Sequence, residues 1–311
     1  MSALITILIF TLVLIFYIHI THHYKKSEDL EIYETDYNNK AHINDVCNLK
    51  QPVLFEFKSI CPEIYEKINK ETMDEFYEDL EMNVKDTDEY LDEERDKSGV
   101  ILSYKSLNRL IESDQKGHII SENNSDAIEE NKELYNVFFN ANPYLKPDFT
   151  IQTKYDIYVG SPNSYCPLKY HTNYRHFISV ISGKLHVKMT PWKSSKYLNP
   201  VKDMENYEFR SPIDVWNTNE AHKSNSDKIK YIEFDIYPNY CLYVPPYWWY
   251  SIKYSNDNDN FACGITYNSM MSTLSNLPDI ILYYMQQHNI TQKIIAPPKE
   301  ENADSTISNI I

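Results

Sequence analysis

Asn239-Tyr240-Cys241-Leu242-Tyr243-Val244-Pro245-Pro246-Tyr247-Trp248-Trp249-Tyr250-Ser251-Ile252 carries the reading of the fold. On either side of the proline pair lie two runs rich in aromatic and aliphatic residues, Cys241 to Val244 and Tyr250 to Tyr254, with strand length and composition. The same grammar recurs upstream in Tyr155 to Val159, Phe177 to Ile181, Leu185 to Met189 and Tyr231 to Ile236, and downstream in Phe261 to Tyr267. Many short strands joined by polar turns imply an antiparallel barrel or a double-sheet sandwich, not a parallel sheet with crossover helices. The 27 tyrosines fit this pattern as strand residues with one polar tip, so their number does not mark a carbohydrate platform.

Before Thr150 the pattern differs. Val53, Phe55 and Phe57 alternate like a strand. Met73, Phe76, Leu80 and Val84 recur at helical spacing inside Glu71 to Arg95, which holds 12 acidic and 2 basic residues, so this segment reads as an amphipathic helix with a solvated acidic face. Leu107, Leu110 and Ile111 suggest another short helix, and Ile128, Leu134, Val137 and Phe138 a third, ended by Asn142-Pro143. After the strands, Leu274, Leu277, Ile281 and Tyr284 give a helical pattern from Met270 to about His288, interrupted by Pro278.

At the N-terminus, Ala3 to Ile20 are 18 residues without a formal charge, enough for a helix of about 27 Å that nearly crosses a bilayer. No basic residue precedes the run and Ile18-His19-Ile20-Thr21-His22 offers no small-x-small cleavage site, so the favoured reading is a retained single-pass anchor, with a cleaved signal peptide as the alternative. Lys25 and Lys26 follow it, diluted by Glu28, Asp29 and Glu31, so the positive-inside bias favours the cytosol for the rest of the chain, while the sequons at Asn123 and Asn289 would be usable only in the opposite orientation. The lipid bilayer is thus the expected partner of residues 3–20.

Of 311 residues, 45 are Asp or Glu and 30 are Lys or Arg, a net charge of −15 that disfavours nonspecific binding to nucleic acid. Five widely spaced cysteines, Cys47, Cys61, Cys166, Cys241 and Cys263, form no Cys-x-x-Cys pair and read as core thiols. A protein partner and a homodimer through exposed strand edges are both compatible with this composition.

Three blocks together carry a resemblance: Gly160 to Asn173 with Pro167-Leu168-Lys169-Tyr170-His171-Thr172-Asn173, Ser182 to Trp192 with Gly183-Lys184, and Asn239 to Ile252 with Pro245-Pro246-Tyr247-Trp248-Trp249. They resemble the cupin-like, JmjC-like family of iron(II)- and 2-oxoglutarate-dependent oxygenases. Its pattern is a Pro-Leu-His-x-Asp turn, a Gly-Lys strand and a closing strand with Pro-x-x-Trp-x-His. The resemblance implies a mainly β fold with flanking helices, a cupin-like double-stranded β-helix (jelly roll), here preceded by one transmembrane helix. The expected organisation is a membrane anchor with its basic flank over 1–26, a helix-rich N-terminal part of the cupin-like domain over 27–149, the double-stranded β-helix core over 150–270, a C-terminal helix over 271–293 and a flexible tail over 294–311.

That family's chemistry needs two imidazoles and a carboxylate on iron(II), with a basic group for the oxoacid. Here the set departs from the pattern. Anchored at Pro167-Leu168, Lys169 stands where the first His belongs and His171 where the Asp belongs. With a one-residue insertion the turn becomes His171-x-Asn173. The Trp248-Trp249 pair places Tyr250 at the second His. The resemblance thus implies a pocket at Lys169, His171, Asn173, Tyr250, Trp248 and Trp249. Lys184 and Lys188 are its candidate oxoacid-binding residues, and His171, His176 and His186 its candidate metal ligands. Two functions follow from it. One is a membrane-anchored cupin-like domain without standard oxygenase activity, acting as a binding or scaffold module and needing no cofactor. The alternative is a hydroxylase or demethylase-like oxidoreductase that uses Fe(II) and 2-oxoglutarate at a non-standard metal site.

Overall fold

A computed structural model of the chain describes residues 2–88, 99–218, 220–257 and 259–295. Its strands in chain order are β1 Tyr33–Glu34, β2 Val53–Glu56, β3 Glu81–Asp86, β4 Val100–Ser103, β5 Ile119–Ser121, β6 Thr150–Gly160, β7 Lys169–Tyr170, β8 Arg175–Ser182, β9 Leu185–Thr190, β10 Val201–Asp203, β11 Glu208–Arg210, β12 Ile232–Ile236, β13 Tyr240–Val244, β14 Trp249–Tyr254 and β15 Phe261–Ser269. The helices are α1 Ser2–Tyr24, α2 Lys40–Cys47, α3 Pro62–Lys67, α4 Lys70–Phe76, α5 Tyr104–Ser113, α6 Ser125–Glu130, α7 Lys132–Phe139, α8 Asn142–Leu145, α9 Ser195–Leu198, α10 Glu220–Ser226, α11 Met270–Ser275 and α12 Leu277–Ile295.

The strands form two open sheets. One has nine strands in the order β1-β2-β13-β8-β15-β6-β5-β3-β4, and the other six in the order β10-β11-β7-β14-β9-β12. Every pairing is antiparallel except β1 with β2. This corrects the expected fold. The segment 150–270 does not close into a double-stranded β-helix; each sheet ends in two free edges, and helix and strand are present in comparable amounts. The larger sheet outgrows a jelly-roll face because β3, β4 and β5, from the part expected to be helical, add to its β6 edge.

Period-two alternation sends the side chains of the central strands of the nine-stranded sheet, β6, β8, β13 and β15, to two different cores. Tyr155, Ile157, Val159, Phe177, Ile181, Cys241, Tyr243, Phe261, Cys263, Ile265 and Tyr267 face a helical layer built from α2 to α8. Tyr158, Ile178, Val180, Leu242, Val244 and Ala262 point the other way, against Leu185, Val187, Met189, Tyr250, Ile252 and Tyr254 of the six-stranded sheet. A third cluster around Tyr170, Phe209, Tyr247 and Trp249 covers the outer face of that second sheet.

The helical layer forms where the sequence provides both a cap and a stripe. Asn39, Asn69 and Asn131 accept the N–H of His42, Thr72 and Leu134 at the starts of α2, α4 and α7. Leu134, Val137 and Phe138 then turn inward on α7, as their spacing requires. The acidic helix expected over Met73 to Val84 breaks up instead. Met73 is buried on α4, Phe76 is exposed, and Val84 lies on β3, where pairing to β4 and β5 overrides the helical spacing. Residues 89–98 of that acidic stretch, and 296–311 of the expected tail, lie outside the described residues. The expected C-terminal helix is two helices: the chain breaks at Asn276, and Pro278 sits in the first turn of α12, where its missing N–H costs nothing. All five cysteines are buried and free.

Gly264 on β15 lets the phenol ring of Tyr158 lie across it; a Cβ there would come within 2.6 Å of the Tyr158 hydroxyl and 2.7 Å of its ring. Because Tyr158 is itself buried between the sheets, Gly264→Ala should destabilise the protein by about 2 kcal/mol through overpacking. Thermal unfolding should show the loss, and Gly264→Ala combined with Tyr158→Leu should recover part of it.

Candidate functional site

The layer between the sheets is apolar at one end and polar at the other. Lys169 of β7 is directly paired in register with Tyr250 of β14, which brings both side chains to this layer opposite His176 of β8. Burying Lys169 requires a counter-charge, and Glu122, just after β5, supplies it. Glu122 also accepts from Lys85 at 3.4 Å, and Lys85 reaches Glu208 at 2.7 Å. The four charges neutralise one another. Burial would raise the Glu122 carboxyl, but Lys169 and Lys85 outweigh it and hold it down at about 2. Burial likewise disfavours the Lys169 charge, and Glu122 reverses this, holding Lys169 protonated well above the usual lysine value. Beside them, burial pushes the Asp156 carboxyl up to about 6, although the backbone N–H groups of Asn123, Asn124 and Ile157 all donate to it.

His171 and His176 close the polar end. Their rings lie 4.9 Å apart, each 6.1 Å from the Tyr250 ring. His171 Nε2 lies 3.1 Å from the carbonyl of Val244; since a carbonyl can only accept, Nε2 carries the proton. His176 Nδ1 meets the Thr266 hydroxyl at 2.9 Å. The remaining nitrogens, His171 Nδ1 and His176 Nε2, are buried without a hydrogen-bond partner. Burial pushes His176 down to about 3, with Lys169 adding to the effect. Burial, His176, Lys169 and Lys50 push His171 well below its ordinary value. Two neutral imidazoles, a phenol and a neutralised ammonium can exchange hydrogen bonds with a small polar group. The nearest thiol, Cys166, is pushed up by burial and is not activated as a nucleophile.

Of the residues singled out in the sequence, Lys169, His171, His176 and Tyr250 come together here. The others go elsewhere. Trp248 is fully buried toward the same layer and donates its indole N–H to the Lys50 carbonyl at 3.1 Å, whereas Trp249 points to the outer face, against Tyr170 and Ser195. Asn173, on the loop before β8, accepts from the Asn268 amide of β15. His186 and Lys184 pair with Asp235, and Lys188 lies 3.2 Å from Glu233, all on the outer face of the six-stranded sheet because Leu185, Val187 and Met189 take the inner one. Glu122, Lys85 and Asp156 escaped the sequence reading, since nothing in their neighbourhood distinguishes them from surface charges.

An iron site does not fit this arrangement. His186 faces the wrong way, Glu122 is held by two lysines, and Asp156 is held by three backbone N–H groups. Among the described residues, the one group of His, Cys and carboxylate atoms close enough to share a metal is Asp86, Asp88 and His118, a half-buried to exposed set with one imidazole instead of two. This removes both functional expectations tied to the family, the oxidoreductase with Fe(II) and 2-oxoglutarate at Lys184 or Lys188 and the degenerate cupin-like module.

Lys169→Met leaves Glu122 buried with one cation fewer and should cost about 3 kcal/mol in thermal unfolding. The pH dependence follows from the signs. Glu122 is depressed in the fold, so its stabilisation is complete above its unfolded value near 4.3 and is lost as pH falls through about 2. Asp156 is raised and acts oppositely, weakening the fold as pH rises from about 4 to about 6. Glu122→Gln should therefore flatten the acid limb below pH 4 in a pH series of melting temperatures.

Comparison of the chain with protein-family models and with curated proteins found no match, so the resemblance to the cupin-like and JmjC-like oxygenases read from Pro167 to Ile252 is overturned together with the fold that it implied.

Proposed function

We propose that the protein is a single-pass membrane protein that carries the polar chamber of Lys169, His171, His176 and Tyr250 at the bilayer surface, where it receives a small polar group. The observation that carries this reading is the placement of α1. Within its apolar stretch, Ala3–Tyr24, an 18-residue window has a mean hydropathy of 2.7 and none of that window is buried in the domain. At 1.5 Å per residue the 18 residues of that window reach about 27 Å, close to the about 30 Å of a hydrocarbon core.

The last turn of α1 is socketed in the domain. Tyr24 donates to the Ser275 carbonyl. His23 is buried and lies 3.3 Å from the Asn276 amide, which also donates to the Thr172 carbonyl at 3.0 Å. Lys26 sits 3.9 Å above the Trp192 ring and 4.5 Å above that of Tyr247. Thr172 follows His171 directly, so one loop serves as chamber rim and anchor socket. The aromatic residues around it, Tyr24, Trp192 and Tyr247, are the types that favour the membrane–water interface. Lys25 and Lys26 at this end support a cytosolic domain.

Alkaline carbonate extraction of membranes from cells expressing the full chain tests the reading. The protein should stay in the pellet with its N-terminal helix intact by mass spectrometry, and Leu8→Arg with Leu12→Arg should release it. Recovery of the native chain in the supernatant, or cleavage after the helix, would overturn the proposal. Absence of glycan at Asn123 and Asn289 in microsomes is the expected result for a cytosolic domain.

A further inference from the structure

A second set of cations lies beside the anchor socket, and nothing in the chamber accounts for it. Lys50 follows α2 in a left-handed conformation, φ 61°, with its side chain entirely buried. Its Nζ has no hydrogen-bond partner and lies 5.1 Å from the centre of the Tyr174 ring. Arg175 is also buried, with its guanidinium carbon 4.1 Å from the centre of the same ring. The partners of Arg175 are all neutral oxygens: the carbonyls of Tyr174 and Asn44, the Asn48 amide oxygen, and the hydroxyls of Tyr174 and Tyr243. Its Nε has none. Among the described residues no carboxylate pairs with either group.

Buried cations are ordinarily paired, and the Glu122 network follows that rule. Lys50 and Arg175 break it. Asn44 and Asn48 at the end of α2 place carbonyl and amide dipoles toward Arg175, but none reaches the Lys50 ammonium. Without a counter-charge, burial pushes Lys50 down to about 7, with Arg175 adding its repulsion. Two adjacent cations with spare donors match the several acceptor oxygens and negative charge of a phosphate group. The Tyr174 ring, half-buried and lying against both, is the side chain that must turn aside to admit it.

We propose that Lys50 and Arg175 form a phosphate-binding site gated by Tyr174. The site adjoins the loop that holds α1, since Thr172 and His23 share the Asn276 amide two residues from Tyr174. A phospholipid headgroup and a free phosphate present the same chemistry here. Only the lipid source rests on the membrane reading, so the two can fail separately.

The test uses the full chain in dodecylmaltoside micelles and follows thermal unfolding. One arm compares potassium phosphate with potassium chloride at matched ionic strength. The other compares dioleoyl phosphatidic acid with dioleoyl phosphatidylcholine mixed into the micelles. At about a hundredfold excess over Kd, the native chain should melt about 5 °C higher with phosphate or phosphatidic acid. A shift with phosphatidic acid alone assigns the headgroup; a shift with both assigns phosphate from either source. Lys50→Met should fold and lose the response. No shift in either arm, or an equal shift in Lys50→Met, would overturn the site. If Lys50→Met does not fold, the 31P linewidth of inorganic phosphate decides with the native chain alone: broadening reversed by excess sulfate supports the site, and an unchanged line rejects it.

Discussion

A sheet with both faces covered has to supply two separate cores from alternating residues, and this requirement organises the whole domain. On β8, Phe177, Ser179 and Ile181 serve the helical side while His176, Ile178 and Val180 serve the inter-sheet side. Neither set can be exchanged for the other, because a slip of one residue would put Arg175 and Phe177 where His176 and Ile178 belong. The helices α2 to α8 are short and individually weak; they persist because that sheet face needs a cover.

The same geometry explains why charge is tolerated between the sheets. At the polar end of the inter-sheet layer, Lys169, Glu122, Lys85 and Glu208 replace apolar packing with mutual neutralisation. Such a network stabilises less than a matched apolar core would, but it is intolerant of losing a single member. It therefore ties β3 and the end of β5 in the larger sheet to β7 and β11 of the second.

The strands after Thr150 were legible because tyrosine, isoleucine and valine at period two have one reading. The helix α7 was legible from the spacing of Leu134, Val137 and Phe138, but Ile128, read as part of the same helix, lies on the separate α6, and the Asn131 cap between them went unread. What escaped was long-range. Val84 sits at helical spacing from Met73, yet it pairs with Val100 and Ser121, and no local pattern announces those partners. The sheets' openness was equally hidden, since β3 comes from a segment whose acidic character suggested a solvated helix and the edge strand β4 follows that segment. The Pro245 to Trp249 motif misled in an instructive way. Its two tryptophans were read as one pocket wall, but adjacent strand residues face opposite ways, and Trp248 and Trp249 enter different cores. His171 and His176 were found by their residue type; Lys50 and Arg175 were missed because a buried lysine looks like any other lysine in a sequence.

The socket at the base of α1 makes the helix a lever with its fulcrum at Tyr24. A helix on a loose linker can tilt without consequence, whereas a stiff rod of about 33 Å bonded at one end turns a sideways shift of about 3 Å at its tip into a rotation of about 5° at the joint. Membranes of different hydrocarbon thickness impose different tilts on the same helix. The joint shares Asn276 with Thr172 and lies against Tyr247, whose N–H is bonded to the His171 carbonyl. On the proposed membrane reading, bilayer thickness is mechanically coupled to the rim of the chamber.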